Sequence, residues 1–380
     1  MKRTSIMTST LCLVVILSFY FNIGTPNVVS ANETLSLHSE TAILMDAETG
    51  EILFNQKMEQ TMYPASITKI VTAIVAIEEG NLADIVTVSS EAVNVTGTRV
   101  YLLEDERVPL LKLVQGLLIS SGNDAGTAIA EHMSGSEEQF SELMNTFVKE
   151  KIGIHQTHFT NPHGLYDENH LTTAYDMAKI TQYAMQNEMF REIVGTKEME
   201  WIGEGWETVI YNHNRLLWNY EGATGVKNGF VRKSGYTLVT TAKRDEMELI
   251  AVTLNAPSAD HAYNDMKALF DYGFDHYHTN VIFSNNVFQS EKGERYVLDE
   301  DLYFLSNRNE EISIRVNSLG RLWVRGEGDR IIETVRLKPE ESPKETVTMM
   351  EDIEEVKEAS QSFLDKLLSH FQSILSIFSV

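Results

Sequence analysis

The chain is 380 residues long, 43% hydrophobic, with 55 acidic against 31 basic side chains and a formal net charge of −24. That length and apolar content suffice for one full core and a smaller second one, and the acidity suits an exposed, soluble surface. The same balance argues against a nucleic-acid partner, which needs a basic face. At the N-terminus Lys2 and Arg3 precede the apolar run "LCLVVILSFYF" (11–21), and "VVSAN" (28–32) offers a small-residue cleavage site after Ala31. Residues 1–31 therefore read as an export signal, with an uncleaved anchor as the alternative, although the run is short for a membrane span. The single cysteine, Cys12, falls inside this signal. The exported chain then has no thiol, and disulfides, thiolate catalysis and cysteine-held metals drop out. The expected place of work is outside the cytoplasmic membrane.

In chain order, "TAILMDAETGEILFNQK" (41–57) predicts two short strands around a turn. Helical spacing follows over Ile67–Glu79, Leu110–Ser120, Ala125–Met133, Glu137–Lys151 and Ala174–Asn187. From 208 onward the pattern turns to strands, with "SGYTLVTTAKR" (234–244) and "MELIAVTLNA" (247–256) the clearest, and a helix over 261–274 closes the unit. A hairpin, a helical insert, more strands and a last helix predict an α/β (α+β) fold with an antiparallel sheet and a helical subdomain spanning 32–278. Alternating segments over 279–340 predict a small β-rich domain, and the Glu-, Pro- and Lys-rich stretch 341–360 reads as an acidic linker.

Residues 361–380 end the chain on a helical stripe in which Phe363, Leu364, Leu367, Leu368, Phe371, Ile374, Leu375 and Phe378 share one face. Such a stripe suits the membrane interface. The alternatives are packing on its own domain or on a second copy. Its polar face carries one lysine, Lys366, so attraction to anionic lipid is weak.

The chemistry concentrates at three places. "YPASITKIVTAI" (63–74) puts Ser66 near a helix N-terminus and Lys69 three residues later, on the same face. A serine hydroxyl is a poor nucleophile until a base takes its proton, and a partly desolvated lysine can be that base. By composition alone such a pair occurs about once in a chain of this size, so it is weak evidence by itself. "LLISSGNDAGTAIAEHM" (117–133) interrupts two helices with Ser121, Gly122 and Asn123. A helix cap accounts for Asp124 but not for that loop. "GVKNGFVRKSGYTLV" (225–239) carries Lys227, Asn228 and Gly229 into a strand, where a hairpin turn is the plain reading. A zinc peptidase finds no support: His155, His158 and His163 are close in sequence, but no His-Glu-x-x-His helix accompanies them.

Together, and in this order, the three places resemble the Ser-x-x-Lys, Ser-x-Asn and Lys-Thr-Gly set of the penicillin-interacting serine enzymes. "FTNPHGLYDENHLTTAYDMAKI" and "YNHNRLL" narrow the resemblance to the low-molecular-weight D-alanyl-D-alanine carboxypeptidases, over roughly residues 38 to 275. The resemblance implies a β-lactamase/transpeptidase-like domain, no cofactor and no metal. It implies a peptidoglycan stem peptide ending in D-Ala-D-Ala as substrate, β-lactam antibiotics as acylating ligands, and a C-terminal helix on the membrane surface. Ser66 would attack the penultimate D-alanine carbonyl and Lys69 would take its proton. Ser121 would relay protons, Asn123 would meet the substrate amide, and Lys227 would add positive charge towards the terminal carboxylate. The backbone N–H groups of Ser66 and Phe230 would form the oxyanion hole. Asn228 stands where the family usually has threonine, which bears on substrate affinity and on the preference for a chain end; Arg232 is a candidate to compensate. His163 would be a turn residue supporting the site. A D,D-endopeptidase, a β-lactamase and a non-catalytic penicillin-binding sensor remain open as alternatives.

Overall fold

The computed structural model describes residues 35–340; the predicted export signal, acidic linker and amphipathic C-terminal helix lie outside the described residues. The chain divides into two compact units, up to Thr279 and from Asn280 onward. The first unit is built on an antiparallel sheet of β1 (Thr41–Asp46), β2 (Ile52–Gln56), β3 (Ala223–Val231), β4 (Gly235–Arg244) and β5 (Met247–Ala256). Their order is β2-β1-β5-β4-β3, so β3 forms one edge. The central strands read as near-continuous apolar runs because both sheet faces are covered: every residue of β1 is buried. The β1–β2 turn is held by Asp46 Oδ1, which accepts from the Thr49 N–H and hydroxyl at 2.8 Å each.

The longer helices of this unit include α1 (Lys69–Glu79), α2 (Leu110–Ile119), α3 (Asn123–Ser134), α4 (Glu137–Phe147), α5 (Ala174–Ala184) and α6 (Ala259–His276). Helix α1 is buried without a break from Lys69 to Ala76. A helix apolar all round belongs inside, and α1 runs through the main core. The starts of α4, α5 and α6 are capped by Ser136, Thr173 and Ser258, whose side chains accept from backbone N–H groups of the first turn. Helix α6 lies so close to the sheet that a Cβ on Gly273 would stand 2.6 Å from a Leu249 methyl and 2.9 Å from a Leu44 methyl. Its Asp265 accepts from the backbone N–H groups of His38 and Ser39 and from the Ser39 hydroxyl at 2.6–3.0 Å, tying down the start of the described chain.

Three local features depart from the periodicity. The helix predicted from Ile67 is preceded by a 3-10 turn over Ala65–Thr68, entered through Ala65 with a φ of 51°. Helix α4 gives way after Phe147 to a wider turn over Val148–Ile152. Lys227, Asn228 and Gly229 lie within β3 rather than at a hairpin; the turn falls at residues 232–234.

The second unit is β-rich. Val287–Gln289, Arg295–Val297 and Lys338–Pro339 form one three-stranded sheet, and Ser313–Val316, Arg321–Arg325 and Ile331–Arg336 another. Tyr296, Leu298, Phe304, Leu322, Val324 and Leu337 form its small core. Among the described residues no helix is long and apolar enough to cross a membrane.

Candidate active site

Ser66 sits in the tight turn before α1, and that turn is fixed from three directions. From β4, the Thr237 hydroxyl donates to Pro64 O at 2.9 Å. From the loop at 161–165, Gly164 (φ +86°) presses against the Ala65 peptide so closely that a Cβ there would lie 1.9 Å from Ala65 O. From within, the Thr68 hydroxyl donates to Ala65 O at 2.8 Å and meets His170 Nε2 at 2.8 Å. His170 Nδ1 accepts from the Thr160 N–H at 2.9 Å, so Nε2 carries the proton and donates to Thr68. Burial pushes the His170 pKa down to about 3, in keeping with a neutral ring.

Lys69 begins α1 and is fully buried. Its Nζ lies 2.6 Å from Asn123 Oδ1, 2.9 Å from His163 O and 3.2 Å from Ser66 Oγ. Burial takes its pKa well below the usual lysine value, and the nearby positive charge of Lys227 lowers it further against the opposing pull of Asp124. A neutral amine has two N–H donors and one lone pair. In its neutral form, Asn123 Oδ1 and His163 O accept the two donors and the lone pair faces the Ser66 hydroxyl. An amine that can take a proton and a hydroxyl that can lose one therefore share one turn.

Asn123 opens α3, with its Nδ2 donating to Thr96 O at 2.6 Å. Both ends of its amide are thus used inside the protein, and its contact is with the lysine rather than with open cleft. Asp124, also buried, accepts from Val100, Leu102 and Ala125 N–H groups, which ties the 98–102 loop to α3. Burial raises its pKa, and those N–H donors oppose the rise. Ser121 stands just before α3 in a left-handed conformation (φ 62°), an uncommon one for serine that occurs at functional turns.

Ser66, Ser121, Asn228, Gly229 and Phe230 border one cleft of 570 Å³, a size suited to a small peptide. Lys69, Asn123 and Lys227 are buried and do not line it. The Lys227 amine donates to Asn228 O at 2.9 Å and approaches Asn228 Oδ1 at 3.3 Å. Burial takes its pKa down to about 7. With its oxygen turned to the lysine, the Asn228 amide presents its N–H end to a ligand. At Gly229 a Cβ would stand 2.7 Å from Ser66 N and 2.6 Å from Thr237 Oγ1, so only glycine lets β3 run this close to the nucleophile's backbone N–H. Phe230 is half exposed and packs on Tyr236 with ring centroids 4.5 Å apart.

Arg232 is exposed and does not border the cleft; the arginine that does is Arg215. Of the three histidines weighed as ligands, His163 donates from Nε2 to Glu137 Oε1 at 3.2 Å, while its Nδ1 accepts from Leu165 N–H. Burial lowers its pKa. Among the described residues no cluster of three or more His, Cys, Asp or Glu side chains could hold a metal ion. The motifs gave no role to Asn161, whose Oδ1 accepts from Gly164 N–H, to His170, or to Asn214, whose Nδ2 donates to Gly225 O on β3 at 2.6 Å. All three lie in the stretches "FTNPHGLYDENHL" and "YNHNRLL", so the signal was a block of residues rather than individual side chains.

The profile of the family described as peptidase S11, D-alanyl-D-alanine carboxypeptidase, matches residues 27–258. D-alanyl-D-alanine carboxypeptidase DacF of Bacillus subtilis is 33% identical over 259 residues, which cover 66% of this chain and 66% of that protein. D-alanyl-D-alanine carboxypeptidase DacD of Escherichia coli is 32% identical over 290 residues, 72% of each chain. The crystal structure of penicillin binding protein 5 from Haemophilus influenzae superposes with a TM-score of 0.71 at 26% identity, covering 81% of this chain and 98% of that one. Sequence match and shared fold agree: the chain belongs to the peptidase S11 family of D-alanyl-D-alanine carboxypeptidases.

Proposed function

We propose that the protein is an exported serine D-Ala-D-Ala carboxypeptidase that trims the terminal D-alanine from peptidoglycan stem peptides and is acylated by penicillins. The observation that carries this reading is the Lys69 amine, with acceptors on two sides and Ser66 Oγ on the third. Ser66 Oγ passes its proton to Lys69 Nζ as it attacks the carbonyl of the penultimate D-alanine. The new oxyanion is received by the Ser66 and Phe230 N–H groups beside Gly229. Ser121, at the cleft wall, hands its proton to the departing amine while taking one from the Lys69 ammonium, the C–N bond breaks, and D-alanine leaves. Water then gives a proton to the neutral Lys69 amine as it adds to the acyl carbonyl, the Ser66–acyl bond breaks with that proton returned to Ser66 Oγ, and the shortened peptide is released. Because β3 is a sheet edge, an extended peptide can lie along it and add to the sheet while it reacts. In this reading residues 1–31 direct export, 32–278 form the catalytic domain, 279–340 a small β domain and 341–360 a connector. Residues 361–380 hold the enzyme at the extracytoplasmic face of the cell membrane.

Intact mass after incubation with a penicillin tests the proposal. One adduct per wild-type chain and none on Ser66→Ala are the expected results, followed by D-alanine release from a pentapeptide analogue. An unmodified wild-type protein overturns the acyl-enzyme. An adduct without D-alanine release turns the reading to a penicillin-binding sensor.

A further inference from the structure

We infer that Arg215 anchors the free carboxylate at the end of the substrate and so makes this cleft select a chain end over an interior peptide bond. The inference rests on the carboxypeptidase reading above and names a residue to which the motifs give no role. Among the described residues that border the cleft, Arg215 is the only lysine or arginine. Its side chain is 54% exposed and borders both this cleft and the adjoining recess that it shares with Asp260, yet it is not loose. It lies over the Tyr263 ring at 4.9 Å, and its backbone N–H donates to the Tyr263 hydroxyl at 3.2 Å. That hydroxyl in turn donates to His213 O at 2.9 Å. Next to it, Asn214 ties the segment to β3, the strand that carries Lys227 and Asn228.

The other candidates are weaker on their chemistry. Lys227 is buried, with its amine turned to Asn228 O and Oδ1, and burial weakens its hold on a positive charge. Asn228 offers neutral hydrogen bonds alone. Arg232 is outside the cleft lining. A guanidinium stays charged throughout the working range and presents paired N–H groups that fit a carboxylate. Its recorded partner, Asp260 Oδ1 on Nη1 at 2.9 Å, is 83% exposed, so water screens that pair and a substrate carboxylate can join or replace it at little cost.

The test compares kcat/KM on the full chain for a peptide ending in D-Ala-D-Ala and for the same peptide with its terminal carboxyl amidated. Wild type is expected to favour the free acid by about 100-fold, the scale of a charged hydrogen-bonded pair. Arg215→Ala should bring that ratio close to one, chiefly through the rate on the acid. Arg215→Lys should fall between the two, and Arg232→Ala should keep the wild-type ratio. An Arg215→Ala enzyme that still prefers the acid, or that slows both peptides alike, overturns the assignment. Acylation by a penicillin and by its methyl ester, timed by intact mass, gives the same ratio even where no D-alanine is released. Failure of the anchor and failure of the carboxypeptidase reading are thereby told apart.

Discussion

In the role proposed for it, Lys69 depends on the fold denying it water. Replacing it with arginine keeps a cation of similar reach but removes the lone pair, since a guanidinium does not give up its proton. Lys69→Arg should therefore slow penicillin acylation by about 10²–10⁴-fold, the usual share of a general base, in an intact-mass time course. His170 makes a different prediction, on stability. Its native pKa of about 3 lies below the 6.5 of an unfolded histidine, so between these values the unfolded chain binds more protons than the native one. Its contribution is complete above about pH 6.5 and is lost as the pH falls towards 3, at roughly 1.4 kcal/mol per pH unit. Urea midpoints at pH 7 and pH 5 should draw together in His170→Gln relative to wild type; an unchanged slope would remove the neutral-ring account.

Among the elements, the nucleophile's turn and the edge strand β3 form one construction, with Gly229 as the point of closest approach. Gly229→Ala must push either Thr237 or the Ser66 backbone aside. About 1–3 kcal/mol of destabilisation by overpacking is expected from thermal unfolding, with acylation falling further than that loss explains. Much of this was legible in the sequence. The i, i+3 spacing of Ser66 and Lys69 survives any detail of the turn, and the apolar runs of β1, β4 and β5 mark strands covered on both faces. The 3-10 turn was not legible, because it is imposed by Gly164, Thr237 and His170, residues about 100 or more positions away that act through the main chain. The triplet leads into a strand as expected, and the plain hairpin alternative for Lys-Asn-Gly falls away for a related reason. Asn-Gly is a turn signal when nothing else acts on it, but here the glycine serves close approach and the strand continues through it. Arg215 was legible only as a member of a block, since nothing local says that it borders the cleft.

For the whole molecule, a net charge of −24 opposes approach to an anionic surface, and the C-terminal stripe has one lysine to answer it. If residues 361–380 hold the protein at a membrane, apolar contact must supply the attraction. The full chain should then float with neutral vesicles at least as well as with anionic ones, and added salt should not release it. A chain ending at residue 360 should stay in solution with its penicillin acylation intact. Loss of binding in salt, or unchanged flotation of the shortened chain, would point to another means of attachment.

The hydrogen-bonded file that runs from the Thr160 N–H through His170 and Thr68 to Ala65 O has a direction, every proton pointing the same way. It ends on the oxygen of the peptide group whose nitrogen belongs to Ser66. Drawing electron density onto that oxygen makes the N–H at the far end of the same amide more acidic, and so a stronger partner for an alkoxide forming beside it. A histidine that never meets substrate and never changes charge at working pH can in this way lend polarisation to the reaction through one resonant bond.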